Sequence, residues 1–264
     1  MSKLKFKVGD RVKVTDDAEA LMERCGIIER SGHIGVITKA QHSGKLGYQV
    51  MFDCDQEEGI TLWISEDLMD HVKFCATYSG VFYPMDPKPG DFSLVDIAHS
   101  LSLICRFNGH ATHMWSVAQH SLLVIDLLKI SSTTRMNDLY GEHLLKWALL
   151  HDAPEAYIGD MVRPLKNAMP EYQEAEKRIE RAMAEQFQLS LPMPDEVKRA
   201  DDRALAIEAQ YLGFDISGWG LPKPPFGVAS IAHHLQDIPP KAAELAWLTT
   251  ASDLGLLEHD GGLA

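Results

Sequence analysis

The feature that most constrains this chain is a change of hydrophobic period partway along it. From Phe6 to Asp70 short runs (KFKVGDRVKV, GHIGVITKA, LGYQVMFD, ITLWISEDL) are broken at Gly32, Gly35, Gly44, Gly47 and Gly59. Within the first run Val8, Val12 and Val14 nearly alternate with charged residues, the pattern of strands with one buried and one wet face. Further on, Val95, Ile97, Ala98, Leu101 and Ile104, then Val117, Leu122, Val124, Leu127 and Leu128, recur at helical spacing. The stretch between, YSGVFYPMDPKPGD, holds three prolines and two glycines and is a poor helix.

This switch predicts two units in a mainly α chain: a small all-β unit over 1–72, then an all-α bundle over 93–252. Residues 73–92 are expected as a linker or lead-in, and 253–264 as a flexible tail. Further helices are expected over Glu142–His151, Glu171–Phe187, Asp195–Leu212 and Pro240–Thr250, with Pro164, Pro170, Pro192 and the cluster at 222–225 breaking the intervals. A length of 264 residues suits two domains, since domains usually run to about 100–150 residues.

Composition narrows the function classes. No apolar run approaches the roughly 20 residues of a membrane-spanning helix, so no membrane partner is expected. The start MSKLKFKVGD lacks the apolar core of a secretory signal, and Cys25, Cys54, Cys75 and Cys105 form no close pair. A cytoplasmic location is the expectation. A net charge of −13 argues against coating nucleic acid, which needs Lys and Arg to neutralise phosphates. A small anionic substrate stays open, because a metal ion and a few basic side chains can dominate one cleft.

The residues that carry chemistry are His120, the adjacent pair His151 and Asp152, and Asp201. Neighbours on a helix sit about 100° apart, so both can serve one ion only if it lies at the helix edge with other helices completing its shell. A lone helical histidine such as His120 is more often a hydrogen-bonded residue than a ligand. The pair differs: it follows the apolar run WALL, with Glu155 and Asp160 just downstream, and structural economy offers little reason for so many ionisable groups there. Glu155 lies three residues after Asp152 and four after His151, on the same helical face. The alternatives are a capping role for Asp160 and a solvated face for Glu155.

Two resemblances sharpen this reading. Residues of VGDRV and the later Glu66-Asp67-Leu68 resemble the opening and close of SH3-like or KOW-like barrels, over about sixty-five residues. The segment from Ala148 through His151-Asp152, Glu155 and Gly159-Asp160 to Pro164-Leu165-Lys166 resembles the HD-domain phosphohydrolases, in particular their bacterial and phage 5′-deoxynucleotidase-like branch with its HDxxExxxGD pattern. Asp96 to His110, Ser116 to Ser121 and Val197 to Asp201 look like the same branch, so the resemblance covers roughly 78–215.

That resemblance implies that His120, His151, Asp152 and Asp201 hold a divalent cation. Two imidazoles with two carboxylates suit Mn²⁺, Co²⁺, Fe²⁺ or Zn²⁺ better than Mg²⁺. It implies that Glu155 and Asp160 handle the attacking water and the leaving-group proton, and that Arg106 and Lys166 hold the substrate phosphate. Phe107 stands where the best-known members carry Trp against the sugar, which puts strict deoxyribose preference in doubt. His110 and His113 either face phosphate or are simply exposed. The implied activity is hydrolysis of a deoxynucleoside monophosphate to nucleoside and phosphate, or of a triphosphate to nucleoside and triphosphate. A homodimer is also implied.

A reading of a different class makes the chain a binding or adaptor protein acting through its first unit, with a degenerate helical domain. The complete set of four ligand types speaks against it. Residues 1–70 carry nine Lys and Arg against thirteen Asp and Glu, so that unit is better suited to protein contact than to nucleic acid.

Overall fold

The computed structural model describes residues 6–14, 34–40, 48–52, 61–64, 68–131, 139–221, 235 and 237–260. The chain divides into two compact units, 1–73 and 74–264. In the first, β1 (Arg11–Val14), β2 (Ile34–Ala40), β3 (Tyr48–Phe52), β4 (Thr61–Ile64) and β5 (Met69–His71) form one antiparallel sheet in the order β4-β3-β2-β1-β5. The period of two is visible in β3, where Tyr48, Val50 and Phe52 are buried and Gln49 and Met51 are less so. They pack with Phe6, Val12, Val14, Ile37 and Ile64 into the unit's own core. Gly35 is required on β2: a Cβ there would sit 2.6 Å from the Met51 carbonyl oxygen on β3. The edge strands β4 and β5 are not paired with each other among the described residues, so a sheet is established here and the closed barrel anticipated from the sequence is not.

The second unit is mainly helical. It contains α1 (Leu94–Leu103), α2 (Val117–Ser131), α3 (Leu139–Leu150), α4 (Glu155–Ile158), α5 (Arg163–Asn167), α6 (Pro170–Gln186), α7 (Asp195–Tyr211) and α8 (Pro240–Asp253). None of the described helices is long and apolar enough to cross a membrane. In α1, Ser93 caps the amino end by accepting from the Asp96 amide, and Leu94, Ile97, Ala98 and Leu101 bury one face. Prolines open α6 and α8, where a missing amide proton costs nothing. Helix α2 lies centrally, packed against α1, α3, α7 and α8, with Val117, Ala118, His120, Val124 and Leu127 fully or nearly fully buried.

Two boundary expectations need correction. Residues 74–92 are not a free linker. They carry the hairpin β6 (Cys75–Ala76) and β7 (Val81–Phe82), and Phe82 and Phe92 are buried in the helical core beside Tyr157. Proline and glycine content rightly excluded a helix there but said nothing of these two aromatic anchors. Residues 253–260 are not loose either: Leu256 is buried, and Asp260 accepts from the Leu94 amide at 3.1 Å at the start of α1. Residues 261–264 lie outside the described residues.

Candidate metal centre

His120 sits at the end of the first turn of α2 with no exposed surface. Its Nε2 lies 3.2 Å from His151 Nε2, 3.1 Å from Asp201 Oδ1 and 3.4 Å from Asp152 Oδ2, and His151 Nε2 is 3.2 Å from Asp152 Oδ2. The donor atoms of His120, His151 and Asp201 all lie within 4.8 Å of one another. Two ligands bound at about 2.0–2.2 Å to one ion are separated by about 3.0–3.5 Å in tetrahedral or octahedral geometry. The spacing found here is that spacing, so the residues fit a shared cation.

The adjacent His151 and Asp152 can face the same cluster because the helix stops. Helix α3 ends at Leu150, His151 and Asp152 occupy the following turn, and α4 begins at Glu155. The expected helix-edge geometry is therefore replaced by a turn, whose amide of Glu155 donates to the Asp152 carbonyl at 3.0 Å.

The outer nitrogen of each imidazole is committed. His151 Nδ1 donates to the Ala148 carbonyl at 2.8 Å, and a carbonyl can only accept, so Nε2 is the face turned to the centre. His120 Nδ1 donates to Glu208 Oε1 at 2.9 Å. Such outer partners fix the ring and raise its basicity toward a metal.

The electrostatics favour positive charge at this point. Burial and Arg106 push the His120 pKa down, but Glu208 and Asp201 outweigh them and lift it to about 9. Burial likewise opposes charge on His151, and Asp152 overcomes it. Burial disfavours charge on the Asp152 carboxyl, yet His151, His120 and Arg106 hold its pKa below the usual range. Asp201 is also lowered against its burial, chiefly by His120.

Glu155 behaves differently. It is buried, its Oε2 finds no hydrogen-bond partner among the described residues, and burial with the nearby charges of Asp152 and Asp160 raises its pKa well above normal. An orphaned buried carboxyl oxygen at the edge of such a cluster is suited to exchanging a proton with a ligand. Asp160 is raised as well, first by burial.

Asp160 follows Gly159, whose φ of 83° and ψ of 156° are essentially confined to glycine. Tyr172 donates to the Gly159 carbonyl at 2.7 Å and holds this corner. A methyl on Gly159 would meet nothing within 4 Å, so the cost of Gly159→Ala is purely backbone. The expected loss is about 1–3 kcal/mol, read as a drop in denaturant or thermal midpoint. An unchanged midpoint would show that the corner relaxes freely.

Arg106 is buried, with Nε 3.2 Å from Glu208 Oε2 and a terminal nitrogen 3.6 Å from Asp152 Oδ2. The first approach is close enough for charge attraction but is not aligned as a hydrogen bond. Burial opposes its charge, and Glu208 and Asp152 together keep it protonated. Its amide donates to the Trp115 carbonyl at 2.8 Å, which ties the turn Arg106–Gly109 to the start of α2. In that turn Phe107 and Asn108 have φ of 57° and 50°, an uncommon conformation for a bulky residue such as Phe107. Lys166 on α5 is ion-paired to Glu176 on α6, and Glu155 and Asp152 are near enough to favour its charge as well. His113 pairs with Asp237 at 2.8 Å, and His110 is exposed.

Sequence reasoning missed Glu208 and Arg163. Glu208 is fully buried and bridges His120, Trp115 and Arg106, with the Trp115 indole donating at 2.8 Å. Its signal was present: it lies seven residues, or two helical turns, after Asp201 on an otherwise apolar face of α7. Arg163 contacts Asp202 at 3.0 Å and Asp201 at 3.7 Å. A separate cleft of about 320 Å³, lined by residues including Tyr78, Asp96, His99 and Tyr157, contains none of the cluster residues.

Comparison with known proteins agrees with this geometry. Residues 94–211 match the family model described as 5′-deoxynucleotidase YfbR-like. The chain is 38% identical over 145 residues to the uncharacterized protein YfdR of Escherichia coli K12, a match spanning 54% of this chain and 75% of that protein. It is 39% identical over 138 residues to an uncharacterized protein of Rhodobacter capsulatus, spanning 51% of this chain and 68% of the relative.

Proposed function

We propose that this chain, which belongs to the YfbR-like 5′-deoxynucleotidase family, is a metal-dependent phosphohydrolase that cleaves the phosphate ester of a deoxynucleoside monophosphate. The observation that carries the reading is the convergence of His120, His151 and Asp201 at the spacing of ligands around one ion, with Asp152 Oδ2 within 3.4 Å of both imidazole Nε2 atoms. A divalent ion bound there would supply Lewis-acid polarisation of the phosphoryl group and a lower pKa for the attacking water.

The chain's own residues supply the rest. Glu155, whose carboxyl burial pushes well above the usual carboxylate range, orients the water and takes up or returns its proton. Asp160 delivers the proton to the departing nucleoside oxygen. Arg106, kept charged and fixed between Glu208 and Asp152, offers a planar fork to two phosphoryl oxygens as negative charge builds on them. Lys166 joins it only after exchanging Glu176 for phosphate. Phe107 packs against the sugar.

The family description favours monophosphates, with hydrolysis of triphosphates to nucleoside and triphosphate as the second activity to test. We further propose a cytoplasmic homodimer and closure of the amino-terminal strands as an SH3-like barrel that serves protein contact. Chelator-stripped protein should lose turnover of deoxynucleoside monophosphates and regain it with Mn²⁺ or Co²⁺, with nucleoside and inorganic phosphate identified as products. Protein that takes up no transition ion and turns over neither mono- nor triphosphates would instead support the adaptor reading.

A further inference from the structure

Phe107 does not stand alone beside the cluster. Its ring centroid lies 5.0 Å from that of Phe214, inclined 32°, and 6.4 Å from that of Trp219, and the last two are 5.9 Å apart. Three rings in mutual contact would ordinarily be core, yet Trp219 is 42% exposed and Phe107 and Phe214 are only half-buried. The Arg106 guanidinium, which contacts Asp152, is 5.7 Å from the Phe107 ring centroid, so the wall begins one side chain from the candidate metal centre.

The rings are held in place before any ligand arrives. Phe107 is set by its left-handed turn, closed by the His110 amide donating to its carbonyl at 3.0 Å. Phe214 follows α7, its amide donating to the Ala209 carbonyl at 2.8 Å. Asp215 then accepts from the Ser217 amide at 2.9 Å, and the Trp219 amide donates to the Ile216 carbonyl at 3.0 Å, which folds Trp219 back toward Phe214. Helix α7 thus carries Asp201 and Glu208 along its length and positions two of the three rings beyond its end.

We infer that Phe214 and Trp219, continuing the wall that Phe107 begins at the sugar, form the subsite that receives the nucleobase, with Trp219 as its exposed stacking face. The inference rests on the phosphohydrolase reading for what occupies the cluster. An exposed indole face fits a flat heterocycle, because every base offers a π-face and stacking is tolerant of base identity. Recognition of this kind predicts similar handling of purine and pyrimidine substrates and a clear preference for nucleotides over the bare sugar phosphate.

The test compares wild type, Trp219→Ala and Trp219→Phe on deoxyadenosine 5′-monophosphate, thymidine 5′-monophosphate and 2-deoxyribose 5-phosphate. Trp219→Ala should raise KM about tenfold for both nucleotides but not for the sugar phosphate, and Trp219→Phe should recover most of the loss. Deoxyadenosine, which has no phosphate to lose, should quench wild-type tryptophan fluorescence, and the quench should vanish in Trp219→Phe. Equal KM changes for nucleotides and sugar phosphate, or a quench that survives Trp219→Phe, would overturn the subsite. A wild type that hydrolyses none of the three yet shows the expected quench pattern would leave the subsite standing and remove the phosphohydrolase reading.

Discussion

Replacing Asp201 by alanine is expected to lower turnover at least about 10³-fold and to strip the bound ion, while leaving the helical unit folded. A metal's stabilisation of transition-state charge is worth several kcal/mol, and roughly 4 kcal/mol corresponds to that factor in rate. Asp201 approaches His120 Nε2 at 3.1 Å from α7, the helix farthest in sequence from the other ligands. Its side chain is about one quarter exposed, so truncation leaves no dry cavity. Metal content measured beside initial rate separates this reading from a structural role. A variant that keeps a full complement of ion and near-normal rate would remove Asp201 from the ligand set.

Glu208→Ala is expected to act on stability as well as on the ion. Its carboxylate has no exposed surface, accepts from His120 and from the Trp115 indole, and faces Arg106. Removing one partner of a buried charge pair costs about 3–5 kcal/mol, because the remaining charge stays desolvated. For a unit of this size that is a fall in Tm of roughly 10 °C or more. Affinity for Mn²⁺ should also weaken about 10–100-fold, since His120 loses the group that orients its ring. Glu208→Gln, which keeps an acceptor for His120 and Trp115 but not the charge, should recover part of the Tm and most of the ion affinity. Equal losses in the two variants would show that charge toward Arg106, rather than orientation of His120, is what Glu208 supplies.

Much of this architecture was legible from local pattern. Valines alternating around Arg11 and Lys13 marked a strand, and Ile97, Ala98 and Leu101 marked a helix face to which the structure adds Leu94 in place of Val95, because side-chain direction follows backbone period within a few residues. The chemical types at 120, 151, 152 and 201 were legible for a similar reason: an imidazole or carboxylate within an apolar run has to be satisfied by something. What satisfies it was not. The ion pair of Lys166 with Glu176 and the docking of Phe82 and Phe92, within the stretch read as a linker or lead-in, follow from packing that local pattern does not fix.

The chain alone specified two periodicities, the breaks at the prolines, and an inventory of residues able to bind a cation. Tertiary packing alone brought His120, His151 and Asp201 together with Asp152 beside them, set Glu208 behind His120, and left one oxygen of Glu155 without a hydrogen-bond partner among the described residues. The physical reason is one of range. Backbone preference acts over a few residues, whereas a pKa, an ion pair or a ligand shell depends on distance and burial in space, and these exist only once α2, α3 and α7 have packed against one another.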